Sequence, residues 1–384
     1  MTRRRILFYV QHLLGIGHLR RAVTLARGLA AAGFEVAVVS GGRPIPGHEL
    51  GGADLVQLPP VAATDMSFKE LVDEAGRPVD EAWKAMRRDA LLGVFRALQP
   101  DLLLFELFPF GRWGMRYELL PLLEAAGATV PRPLIVSSVR DILVAKTKAA
   151  RYDQMVDLAE AHFDRVLVHG DPGLISFYET LPQARRIAER IHYTGYVVDT
   201  GGQRGGPGDD GWDEVVVSAG GGRVGQRLLE TALAARALTS LRNARWRVLV
   251  GYHAGDDDFE ALRATAAEGV VVERARGDFP SLLMNCRLSI SQGGYNTVME
   301  ILRAGCRAVV SPYAGGEESE QTLRCELLAA RGALEIVPEA TLTPESLAAA
   351  IERALGRPAG VGATVRTDGV EASARLLAGW LAEV

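Results

Sequence analysis

Short unbroken runs of apolar residues alternate along the chain with longer segments whose apolar positions recur at helical spacing. Residues 5–11 open with Ile6, Leu7, Phe8, Tyr9 and Val10 without a polar break, as in a parallel strand covered on both faces. Residues 19–32 then set Val23, Leu25, Ala26 and Leu29 near one helix face, and Gly33 supplies a stop. The same pattern predicts strands over 34–40, 54–58, 101–105, 134–138 and 165–169, and a long amphipathic helix over 79–98. Strands alternating with helices imply a parallel sheet with helices on both faces.

The pattern stops at 200–211, TGGQRGGPGDDG, where six of twelve residues are glycine and one is proline. That composition reads as a domain linker. Beyond it the grammar restarts: a strand over 214–218, a glycine loop over 219–225 and a helix over 226–238. Further strands are predicted over 246–251, 270–273, 288–291, 308–311 and 334–337, with a helix starting at Pro344 and a last helix over 370–381. The expected architecture is α/β, two Rossmann-like parallel-sheet domains facing across a cleft. Its parts are an N-terminal domain (1–199), the linker (200–211), a C-terminal domain (212–367) and a terminal helix (368–384) free to pack back on the N-terminal domain.

Composition narrows the partners. The 384 residues carry 43 Lys and Arg against 47 Asp and Glu, a formal charge of −4, which argues against general nucleic-acid binding. Arg3, Arg4 and Arg5 with Arg20 and Arg21 are the local exception and read as a solvated basic rim. Cys286, Cys306 and Cys325 lack the spacing of a zinc site or a disulfide framework. The first apolar run is too short for a signal-peptide core or a membrane span, so a cytoplasmic place is expected, with peripheral contact at the inner face of the membrane left open.

The richest stretch is 289–321, SISQGGYNTVMEILRAGCRAVVSPYAGGEESEQ. Ser291, Gly293 and Gly294 form a strand-to-helix turn, where a phosphate can meet backbone N–H groups at Asn296 and Thr297. Glu300, inside the same helix, suits a ribose cis-diol. Glu320 and Gln321 follow the next strand and suit sugar hydroxyls, whereas Glu317 and Glu318 read as a solvated acidic loop. A second glycine loop, Gly220, Gly221, Gly222 and Arg223 after Ser218, lacks dinucleotide spacing and fits the other side of a diphosphate. In the first half Gly15 and Gly17 deliver His18 to a helix start, which keeps an imidazole neutral and able to accept a proton. Glu106 and Asp141 follow predicted strands of the same half, and either can orient His18 or act as base itself.

These segments together resemble the GT-B glycosyltransferases, most closely family 28, over 215–355 and more weakly over 7–32. The spacing of Ser291, Gly294, Thr297 and Glu300, followed one strand later by Glu320 and Gln321, carries the likeness. It implies an inverting, metal-independent glycosyltransferase with no cofactor, whose donor is a nucleotide sugar, UDP-linked by preference. By that likeness Glu300 holds the ribose, both glycine loops hold the diphosphate, Glu320 and Gln321 meet the donor sugar, and the backbone at Ala275 and Arg276, just before Phe279, meets the base. Asp256, Asp257 and Asp258 are the only near match to a metal-binding acidic triplet and read as a helix cap. The first loop departs from the family in separating Gly15 from Gly17 by Ile16. The apolar stretch from Phe105 to Phe110, with Trp113, is a candidate acceptor patch and partly core. The acceptor stays open among a lipid, a natural product and a carbohydrate, and the oligomeric state is unspecified. Two rival readings are a UDP-sugar 2-epimerase or hydrolase on the same fold, and a nucleotide-sugar binding subunit without catalysis.

Overall fold

The computed structural model describes residues 3–13, 17–44, 50–64, 70–143, 149–219, 225–252, 254–314, 320–358 and 365–383. The chain forms two compact units, residues 1–197 with 368–384, and residues 198–367.

The first unit begins with β1 (Arg5–Val10), α1 (Gly17–Ala31), β2 (Glu35–Ser40) and β3 (Asp54–Gln57), followed by a short hairpin of β4 (Ala62–Ala63) and β5 (Leu71–Val72). It continues through α2 (Glu81–Leu98), β6 (Leu102–Glu106), α3 (Arg116–Gly127), β7 (Leu134–Arg140), α4 (Ala149–His162), β8 (Arg165–His169), α5 (Phe177–Thr180) and β9 (Ile191–Tyr193). Seven parallel strands pair in the order β3-β2-β1-β6-β7-β8-β9, with Ile6 opposite Val36 on one side and Leu102 on the other. Buried on both faces, β1 needs the uninterrupted apolar run its sequence carries. Asp80 caps α2 by accepting from the Trp83 N–H. At the sheet edge β9 pairs with β8 through Ile191, His192 and Tyr193, opposite Val166, Leu167 and Val168, and this half-buried strand lacks the apolar run that marks the others.

The second unit runs β10 (Val215–Ser218), α6 (Gln226–Ala235), β11 (Trp246–Val250), α7 (Asp256–Ala264), β12 (Val270–Arg274), α8 (Phe279–Asn285), β13 (Leu288–Gln292), α9 (Tyr295–Ala304), β14 (Ala308–Ser311), α10 (Glu320–Ala330), β15 (Glu335–Ile336) and α11 (Pro344–Leu355). Its six strands are parallel in the order β12-β11-β10-β13-β14-β15. The glycine-rich segment before β10 has no regular element, yet it is tied down within this unit. The Gln203 N–H donates to Ser281 Oγ at 3.0 Å and the Gly205 N–H to Asn285 Oδ1 at 2.8 Å, both on α8. Asp256, Asp257 and Asp258 stand in the first turn of α7 and Gly255 is its cap residue, which corrects their reading as the cap; acids in a first turn face the helix's positive end.

The chain returns to the first unit as α12 (Gly369–Ala382), whose Leu377, Trp380 and Leu381 join the core formed by β1, α1 and β2. A Cβ on Gly28 would sit 1.9 Å from Cγ1 of Val370, so glycine is what lets α1 and α12 approach. No helix among the described residues is long and apolar enough to cross a membrane.

Candidate active site

In an open parallel sheet the strand order reverses at one point, and the crevice beyond the strand C-termini there is where ligands bind. In the first unit that point lies between β1 and β6. His18, on the second residue of α1, and Glu106, the last residue of β6, meet over it: His18 Nδ1 is 2.8 Å from Glu106 Oε1. Glu106 is fully buried and also accepts from the Arg21 guanidinium, one turn along α1 from His18. Ser138 Oγ, on β7, lies 3.2 Å from Glu106 Oε2. On the other side of the imidazole, Arg140 Nη2 is 2.5 Å from His18 Nε2.

These partners fix the tautomer. A carboxylate only accepts and a guanidinium only donates, so Nδ1 carries the proton and Nε2 the lone pair. Burial pushes the His18 pKa well below its usual value, and the charges of Arg140, Arg112, Arg21 and His12 push it the same way. The contact with Glu106 is therefore a hydrogen bond from a neutral ring at neutral pH. Arg112 donates from Nε to the Gln11 carbonyl at 2.7 Å; burial pulls its own pKa down to about 10, against the pull of Glu106 and with the push of Arg140.

Asp141 is fully buried just after β7. Its Oδ2 accepts from the Tyr196 hydroxyl at 2.6 Å and its Oδ1 from the Ile142 N–H at 2.9 Å. Glu106 is thus the acid seated on His18, while Asp141 anchors Tyr196. Arg21 is 2% exposed and paired with Glu106, which corrects its reading as part of a solvated rim. Its spacing of three from His18 was the available signal, since that spacing puts both on one helix face. Arg140, Ser138 and His169 carried no such signal; sheet order alone brings them here. Phe105, Phe108 and Phe110 are buried in the core, and Trp113 is flanked by the guanidiniums of Arg116 and Arg151 at 4.6 and 4.4 Å from its ring centre.

Below this site a second buried cluster holds the loops after β1 and β2. Arg87 and Glu118 are both fully buried, with Arg87 Nε donating to Glu118 Oε2 at 2.7 Å. Arg87 also donates to Gln11 Oε1 at 2.6 Å and to the carbonyls of Gly41 and Pro59 at 2.9 and 2.7 Å.

In the second unit the strand order reverses between β10 and β13. Ser218 ends β10; Gly220, Gly221, Gly222 and Arg223, like Gly15 and Ile16 of the first loop and Glu317 and Glu318, lie outside the described residues. Beyond β13 the chain turns at Gly293. A Cβ there would sit 2.9 Å from Pro312 Cα and 3.0 Å from Cys325 Sγ, so the turn requires glycine. Gly294 is the residue before α9, and a Cβ on it would meet open space. Asn296 and Thr297 stand in the first turn, where helix N–H groups point outward. Ser291 is fully buried with its Oγ 2.9 Å from Ser289 Oγ. Glu300 is buried on α9.

Glu320 opens α10 and its Oε1 lies 2.9 Å from Arg324 Nη2, both side chains buried. Arg324 in turn covers the Tyr295 ring at 5.0 Å, which links the starts of α9 and α10. Gln321 Oε1 accepts from the Tyr313 N–H at 3.2 Å. Gly225, Arg227, Gln292, Ser311, Pro312 and Tyr313 line much of a shallow concavity at these strand ends. Ala275 donates its N–H to the Val250 carbonyl at 2.8 Å, and Arg276 is held by Asp278 at 2.7 Å and Asp210 at 2.6 Å. Phe279 is buried at the start of α8.

Residues 215–360 match the model of the glycosyltransferase family 28 C-terminal domain. Over 165 residues the chain is 33% identical to the UDP-N-acetylglucosamine–N-acetylmuramyl-(pentapeptide) pyrophosphoryl-undecaprenol N-acetylglucosamine transferase of Mesorhizobium japonicum, covering 41% of this chain and 44% of that protein. The chain thus matches less than half the length of that relative. Among solved structures it is similar to the calicheamicin glycosyltransferase CalG4, with a TM-score of 0.60 and 18% identity over 100% of this chain and 96% of that one. It is also similar to MurG of Acinetobacter baumannii, with a TM-score of 0.58 and 16% identity over 99% and 100%. The fold is GT-B, and the resemblance of the second half to family 28 holds.

Proposed function

We propose that the chain is a glycosyltransferase that moves a sugar from a nucleotide diphosphate sugar, UDP-linked by preference, to an acceptor hydroxyl with inversion and without a metal. The observation that carries the reading is the His18–Glu106 pair at the first sheet's reversal point, in a chain whose 215–360 match a glycosyltransferase domain. His18 Nε2 takes the acceptor's proton as its oxygen attacks the anomeric carbon. Glu106 holds the ring in the required tautomer and stabilises the imidazolium that forms. Arg140 occupies that lone pair in the resting site, so the hydroxyl displaces it on arrival. In the second unit the turn at Gly293 and Gly294 and the start of α9 receive the diphosphate. There backbone N–H groups and the helix dipole stabilise the leaving charge. Glu300 takes the ribose, and Glu320 and Gln321 the donor sugar. The acceptor class remains lipid, natural product or carbohydrate; the Mesorhizobium relative's name supports a lipid-linked one and a UDP donor.

Thermal shift against UDP, TDP and NAD tests the donor side, because a ligand that binds only the folded state raises the melting temperature. UDP or TDP stabilises the protein and NAD does not; stabilisation by NAD alone overturns the reading. Product analysis with UDP-sugars and no acceptor then separates transfer from its rivals, since an epimer or rapid release of free sugar contradicts it.

A further inference from the structure

Behind Glu106 the hydrogen bonds continue into the sheet. Ser138 Oγ is 3.2 Å from Glu106 Oε2 and 2.8 Å from His169 Nε2. His169 Nδ1 is 2.9 Å from Thr194 Oγ1, and Thr194 Oγ1 is 2.7 Å from the Gly195 carbonyl. Glu106, Ser138, His169 and Thr194 are all fully buried. The four groups come from β6, β7, β8 and the segment after β9, so one chain of contacts crosses half the sheet to reach His18.

A serine hydroxyl has one proton, and both neighbours of Ser138 can accept it. Burial, with the charge of Arg21 behind it, holds the His169 pKa well below its usual value, so the ring is neutral and carries one proton. Two arrangements then satisfy the same heavy atoms with the same number of protons. In one, His169 Nε2–H donates to Ser138, Ser138 donates to Glu106, and the Thr194 hydroxyl donates to His169 Nδ1. In the other, Ser138 donates to His169 Nε2, His169 Nδ1–H donates to Thr194, and Thr194 donates to the Gly195 carbonyl. Only the first gives Glu106 the serine's hydrogen bond.

We propose that Ser138 and His169 are positioning residues for the His18–Glu106 pair, the tautomer of His169 deciding whether Ser138 donates to Glu106 or turns away from it. A carboxylate that loses a donor holds more negative charge and supports a charged imidazole better. The second arrangement therefore favours a protonated His18 and the first a neutral one. The groups facing this chain are His18 and Arg21 from α1, Arg112 from the loop after β6, Arg140 and Asp141 at the end of β7, and His12 after β1. The role in catalysis rests on His18 acting as base; the coupling of the two histidines does not.

Long-range ¹H–¹⁵N correlation of the full chain, labelled at histidine, reads both rings during an acid titration without any substrate. The expected result is a step in the His169 ring nitrogens at the midpoint of His18, and loss of that step in Ser138→Ala. The control is Ser137→Ala, which deletes a buried hydrogen bond to the Phe108 carbonyl from the neighbouring position and keeps the step. His169 signals that stay flat through the His18 midpoint in the wild type overturn the proposal, as does a step that persists in Ser138→Ala. The wild-type measurement decides the matter even if Ser138→Ala does not fold. Absence of sugar transfer leaves this test standing and refutes only the functional reading. Where transfer is seen, Ser138→Ala moves the acid limb of kcat/KM to higher pH, which a loss of packing alone does not do.

Discussion

The two sheets solve the same topological problem with different materials. In the second unit the reversal point between β10 and β13 is dressed with glycine, serine and a helix start, so the chemistry is offered by backbone. In the first unit the point between β1 and β6 is dressed with long charged side chains, His18, Arg21, Glu106, Arg112 and Arg140. Backbone donors bind a diphosphate whatever the sugar attached to it. A network of positioned, titratable side chains is what moving a proton demands. The contrast supports a division of labour, binding in one unit and proton transfer in the other.

That contrast predicts where the molecule breaks. Arg87→Met leaves Glu118 buried without its partner, and removing one side of a buried pair costs about 3–5 kcal/mol. Urea unfolding is expected to show a loss of at least that size. A second change, Glu118→Leu, is expected to return only the part due to the unpaired charge, because Gln11 and the Gly41 and Pro59 carbonyls still lack the donors of Arg87; fully additive losses contradict the account. Mild acid acts on the same unit. Burial, aided by arginine charges, lowers the pKa of His18, His169 and His192, all in the first unit, so the unfolded chain binds more protons than the folded one below the usual histidine value. Stability is fully present above about pH 6.5 and falls as pH drops through that value toward the folded pKa, by up to about 1.4 kcal/mol per pH unit for each histidine. Hydrogen exchange at pH 7 and pH 5.5 checks this, with the first unit expected to lose protection first.

Two glycine changes sharpen the other half. Gly293→Ala drives a methyl into Pro312 and Cys325, and such overpacking costs about 1–3 kcal/mol. It is expected to weaken UDP binding, measured by calorimetry, about tenfold or more through displacement of the turn. Gly294→Ala has an ordinary backbone conformation and open space, so stability changes by less than about 0.5 kcal/mol, the range of surface substitutions. Equal losses in the two variants contradict the picture of a turn defined by Gly293.

The same division decides what was legible in the sequence. Strands such as 165–169 and 308–311 were readable residue for residue, because burial on both faces demands an unbroken apolar run. The proposed donor side stands out as a local motif because its residues are close in sequence: Gly293, Gly294, Thr297 and Glu300 share one turn and one helix. The meeting of His18 and Glu106 was half legible. His18 and Glu106 stood out as residues after strands, but their union depends on β6 lying beside β1, which pairing order supplies and local pattern does not. Arg21 was misjudged because arginines in sequence look alike whether they meet water or a buried carboxylate. Ser138 and His169 sit inside strands where polar residues pass for ordinary edge positions until β7 and β8 are set side by side.

The most direct test of the division is a comparison of His18→Ala with the wild type, measuring UDP binding by calorimetry and UDP release from UDP-sugars in parallel. A general base contributes about 10²–10⁴-fold in rate. The account predicts that turnover falls by at least about a hundredfold while UDP affinity is unchanged. Undiminished turnover, or a loss of nucleotide binding along with activity, would contradict it.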